Sequence, residues 1–134
     1  MEKYVPAGFV LAGLANIAGV LGASMAFTNP HIATLDPAVM SNFGLAMIIL
    51  WGLAYIATAG HWREMKWLVG IFCIEKIFYS ANWLFWINAH GNELGEIYDR
   101  DFMIGVFFSI YGPNDILFAV FFAFAFLRAS KTVT

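Results

Sequence analysis

The chain has little charge and almost no cysteine. Of its 134 residues only 12% are Asp, Glu, Lys or Arg, about half the share of an ordinary soluble domain. Seven basic residues against nine acidic ones give a formal net charge of −2. The basic residues form no patch, so nucleic acid is set aside as a partner. With Cys73 alone, the chain can make no internal disulfide, no paired-cysteine redox centre and no cysteine-rich zinc site. A small apolar packing residue is the expected role. The histidines, His31, His61 and His90, fall in connecting segments or at segment ends, none with a second ligand at helical spacing. No metal and no other cofactor is therefore expected. Residues 90–101 hold Glu93, Glu96, Asp99 and Asp101 against Arg100. They lack the regular oxygen spacing of a calcium loop and read as a solvated loop.

What fills the chain instead is apolar surface. Hydrophobic residues make up 61% of it, and the mean hydropathy is +0.74. Four long apolar runs cover residues 6–27, 38–60, 68–89 and 102–127. At ~1.5 Å per residue, each is long enough to cross a hydrocarbon layer of ~30 Å. The expected fold is an all-α integral membrane protein, a four-transmembrane-helix bundle with short loops, forming one transmembrane domain over residues 1–134. Lys3 and the Ser24-Met25-Ala26 triplet give the first run a faint likeness to a signal peptide. The run exceeds the usual signal core of about 7–15 residues and is kept as a span. Pro30 and Pro37 end it and open the first loop.

Basic residues fall at Lys3, at Arg63 and Lys66 in the second loop, and at Arg128 and Lys131 in the C-terminal tail. That distribution places the N-terminus, the second loop and the C-terminus in the cytoplasm. The expected location is a bacterial or archaeal cytoplasmic membrane.

Two rows of small residues run along the helices. Gly8, Ala12, Ala15, Gly19, Gly22 and Ala26 alternate in steps of four and three on the first span. Gly105, Ser109 and Gly112, continued by Ala119 and Ala123, do so on the fourth, where Pro113 interrupts the row. Such rows let helix backbones approach closely in lipid. The phenylalanines at 107, 108, 118, 121, 122, 124 and 126 surround the fourth span. Most are expected to face lipid or another protein.

Against this apolar background, Glu75 and Lys76 stand side by side within the third span. Ionisable groups at such depth cost about 2.5–3.5 kcal/mol each on insertion scales and turn toward protein or water. Counting residues from each span's centre puts Asn16, Glu75, Lys76 and Asp115 in one layer. Glu75, Tyr79, Asn82 and Trp86 share a helix face, and Lys76 is turned about 100° from Glu75. Glu75 and Lys76 should therefore meet different helices, with Asp115 the partner of Lys76 and Asn114 beside it. Glu75 and Asp115 outnumber Lys76, so one carboxyl must be protonated, reached by water, or met by a cation or a neighbouring subunit.

Beside an enzyme of lipid or isoprenoid substrates, for which a Glu and a Tyr on one helical face would move a proton, two functions fit these residues. One is an accessory or structural subunit of a larger membrane complex, packed through the small-residue rows, with the lipid bilayer and other membrane subunits as partners and no catalysis of its own. The other is a small ligand-binding or proton-coupled protein that works through Glu75, Lys76, Tyr79 and Asp115, with Asn16, Asn82 and Asn114 around them.

Overall fold

The computed structural model describes residues 2–132, with side chains up to Ala129. The side chain of Lys131, counted among the basic charges of the tail, lies outside the described residues. The helices are α1 (Val5–Ala23), α2 (His31–Leu35), α3 (Asn42–Thr58), α4 (Lys66–His90), α5 (Leu94–Arg100) and α6 (Phe102–Thr132). No strand occurs among the described residues. Four of the helices, α1, α3, α4 and α6, are long and apolar enough to cross a membrane.

The two connections at one end hold more structure than their composition suggests. The first span stops at Ala23 rather than near residue 27, because Met25, Ala26 and Phe27 all take left-handed backbone conformations with φ of 50°, 55° and 69°. Ala26 thus falls outside the helix and outside the row it was expected to continue. Ser24 makes the turn possible: its hydroxyl donates to the Val20 carbonyl at 2.6 Å and accepts from the Phe27 amide at 3.0 Å. α3 begins at Asn42, not 38, where the Ser41 hydroxyl caps it by accepting from the Gly44 amide at 3.1 Å. The acidic segment 90–101 is not a loop. It contains α5, which buries Ile97 against α6, while Asp101 caps α6 by accepting from the Ile104 amide at 3.2 Å. Asn29 ties the two connections together by donating to Asp101 at 2.7 Å.

α1 packs most extensively on α3 and α4 on α6, so the bundle consists of two antiparallel hairpins. The closest approach in the first hairpin is between Gly13 and Gly52. A Cβ added at Gly13 would stand 2.5 Å from the Gly52 carbonyl oxygen. The predicted small-residue rows do other work. Gly8 accepts the ring of Phe121, Gly19 lies below Phe107 and Gly22 below Met103. Ala12 is fully buried, and Ala15 lines an internal space. On α6, Gly105 makes room for the ring of Tyr98 and Gly112 for the indole of Trp83, while the Ser109 and Tyr98 hydroxyls bond at 2.8 Å. The glycines of these rows receive side chains, most of them aromatic, rather than helix backbones.

Two apolar clusters fill the interior. One is built on Phe9, Tyr55, Phe72 and Phe122, the other on Met40, Trp86, Ile104 and Phe108. Phe108 and Phe122 are fully buried, while Phe107, Phe118, Phe121, Phe124 and Phe126 are half-buried. At the end near the first cluster Arg63 bonds Glu2 at 2.5 Å and Arg128 stands 4.0 Å from Glu2, so the residues before α1, the second connection and Arg128 of α6 share that end. The acidic α5 region occupies the opposite end.

Candidate functional site

Between the two apolar clusters lies a layer of polar side chains drawn from all four long helices. Lys76 is 1% exposed, Asp115 6% and Glu75 8%. The Lys76 ammonium donates to Asp115 Oδ1 at 2.7 Å and to Asn16 Oδ1 at 3.0 Å. Asn16 is fixed in turn, because its Nδ2 donates to the Ile48 carbonyl on α3 at 2.9 Å. Asn114 Nδ2 lies 3.3 Å from the same Asp115 oxygen. The Lys76 ammonium also stands 5.3 Å from the centre of the Tyr55 ring, within cation–π range.

Glu75 and Lys76 do meet different helices, and Asp115 does pair with Lys76. The partner of Glu75 was not foreseen. It is Tyr55 on α3, whose hydroxyl donates to Glu75 Oε1. A buried tyrosine needs a partner for its hydroxyl, and that need was the available signal. Tyr79 lines the layer, but its hydroxyl makes no hydrogen bond among the described residues. Asn82 is placed one turn farther toward the acidic end. Its Nδ2 donates to Asp36 Oδ2 at 2.8 Å and to the Tyr111 hydroxyl at 3.1 Å. Neither Asp36 nor Tyr111 was singled out from the sequence.

The layer is not solid. A cavity of about 50 Å³ remains inside it, lined by Asn16, Glu75, Lys76, Tyr79, Tyr111, Asn114 and Asp115 together with apolar groups of α1, α3 and α6 and with Met40. At ~10–15 Å³ per water centre, that is room for about four waters. It is far too small for a lipid or a drug-sized molecule. The Lys76 ammonium bonds Asp115 and Asn16, whereas the second oxygens of Glu75 and Asp115 and the hydroxyl of Tyr79 make no hydrogen bond among the described residues. Negative charge is in surplus, since two carboxylates face one ammonium. No group of three or more His, Cys, Asp or Glu suited to a metal occurs among the described residues.

Comparison with protein-family models, with curated proteins and with solved structures found no match.

Proposed function

We propose that the chain is a small membrane protein that binds a proton or a small monovalent cation in the central layer, with Glu75 as the group that takes it. The supporting observation is the cavity, which leaves an oxygen of Glu75 unbonded beside the free hydroxyl of Tyr79. A network that served only to lock helix register would leave no such space, because a buried polar group without a partner costs stability. Lys76 and Asp115 neutralise one another. Glu75 then carries a charge with no counter-charge, and a proton or a cation is what removes it. Tyr55 holds one oxygen in place, so the exchange takes place at the other.

The test is proton uptake by the chain in nanodiscs after a pH jump, followed with an indicator dye. The unsubstituted chain should take up about one proton that Glu75→Gln does not. Repeating the jump with sodium, potassium or ammonium present separates the two ligands, since a bound cation suppresses the uptake. Equal uptake by a folded Glu75→Gln chain would reject the reading.

Membership of a larger membrane complex is a second reading with its own support. The outer side of the α4–α6 hairpin carries an apolar groove floored by Gly70, Cys73, Ala119 and Ala123, small enough for a partner's helix to approach. Ser80 in its wall is buried with a hydroxyl that has no partner among the described residues. Native mass spectrometry after mild detergent extraction should then show the chain in fixed stoichiometry with another polypeptide. A freely migrating monomer counts against it.

A further inference from the structure

A third carboxylate, Asp36, is buried in the bundle, and Lys76 is the one basic side chain buried with these acids among the described residues. Asp36 lies just before α3, at the acidic end. Its Oδ2 accepts from Asn82 at 2.8 Å, its Oδ1 lies 3.4 Å from the Val39 amide, and it makes no ion pair among the described residues. Capping a turn uses one of its oxygens and explains neither its burial nor its tie to α4. From Asp36 a continuous line of polar groups leads inward: Asn82, then the Tyr111 hydroxyl at 3.1 Å, then the cavity that Tyr111 shares with Asp115 and Glu75.

The same route has an opening to the outside. Val39, Phe78, Tyr79 and Asn82 line a groove on the surface between α3 and α4. Tyr79 lines both this groove and the cavity, whereas the groove between α1 and α6, which shares Gly19 and Phe107 with the cavity, is lined by apolar residues throughout. α3 and α4 are neighbours whose backbones come together far less than those within either hairpin, so little else closes the gap.

On the other side of the layer the interior is shut. The Tyr55 ring packs on Phe72 at 4.8 Å and on Phe122 at 4.9 Å, and Phe9 packs on Phe122 at 5.3 Å. Phe9, Phe72, Phe122 and Val69 are fully buried, and no charged side chain is buried among them.

We propose that the central site is reached from the acidic end alone, through the gap that Tyr79 and Asn82 wall, with Asp36 as an outer station that draws the proton or monovalent cation inward. Resting on the reading of the layer as a proton or cation site, this assigns direction to it. Asp36 meets the incoming charge first and hands it past Asn82 and Tyr111 to the cavity. The aromatic cluster prevents it from leaving at the other end in this conformation.

Silver ion tests the route, because it is a small monovalent cation that bonds a thiolate with release of the thiol proton. In a Cys73→Ala background, single cysteines are placed at Ala15 in the cavity wall, at Val39 in the groove and at Val69 in the aromatic cluster. Silver is added to one face of oriented vesicles, and modified chains are counted by intact mass. From the acidic-end face, Val39→Cys and Ala15→Cys should react, and Val69→Cys should lag Ala15→Cys by about tenfold or more, since a site with a surplus of negative charge raises local cation concentration. From the opposite face Ala15→Cys should stay unmodified. Adding Asp36→Asn should slow Ala15→Cys by about tenfold, and Asp36→Glu, which keeps the charge, should restore the rate. Reaction of Ala15→Cys from both faces, or an unchanged rate in Asp36→Asn, overturns the proposal. Silver access does not require Glu75 to titrate, so a failure here and a failure of the proton reading register in separate measurements.

Discussion

Removing the ammonium of Lys76 leaves Asp115 buried without a counter-charge and Asn16 without its donor. Lys76→Met is expected to cost about 3–5 kcal/mol, measured by denaturant titration in mixed micelles. The double change Lys76→Met with Asp115→Leu should recover most of that loss, because Asp115 is then no longer a charge stripped of its partner. A smaller effect is expected at Tyr55. Tyr55→Phe keeps the ring packed between Phe72 and Phe122 but withdraws the donor from Glu75, at a cost of about 1–3 kcal/mol in the same titration. The Lys76–Asp115 pair was legible in the sequence because ionised groups at that depth have few partners to choose from. Tyr55 was not, since a tyrosine near a span's end also satisfies itself at a membrane interface. Asp36 was hidden by its position between two prolines, which reads as solvated loop whether or not the segment folds back into the bundle.

Among the helices, spacing revealed where small residues lie but not what they receive. Many positions of α1 are Gly or Ala, and only the structure distinguishes Gly13, which touches backbone, from Gly19, whose nearest neighbour for an added Cβ is 3.9 Å away. Gly13→Ala should therefore destabilise by about 1–3 kcal/mol, while Gly19→Ala is close to neutral, both read in the same denaturant titration. The reason is that Gly13 would push against the Gly52 carbonyl, which is held in a helix and cannot yield as the Phe107 ring can. α5 escaped the sequence reading for a related reason. Its charge suggested solvation, yet Ile97 and the ring of Tyr98 anchor it, and two adjacent residues leave no periodic signal.

At the scale of the molecule, four apolar helices, and the residues before α1 on a common side with Arg128 of α6, were legible, because length, hydropathy and an even number of spans suffice for both. The pairing into two hairpins was not, as it depends on which faces fit. The basic cluster of Lys3, Arg63, Lys66 and Arg128 should lie in the cytoplasm. A fluorescent protein fused at the C-terminus should then be bright, and alkaline phosphatase fused after Gly95, in the acidic segment, should be active. The reverse pattern would invert the bundle. The division into hairpins also bears on how the chain is made. Synthesis proceeds from the N-terminus, so α1 and α3 are finished before the ribosome reaches Glu75. Asn16 and Tyr55 are then already in place as neutral receivers, one for the lysine and one for the glutamate. Asp115, the counter-ion, is translated last. The nascent protein therefore meets each charge with a dipole first and completes the ion pair only when its final helix arrives.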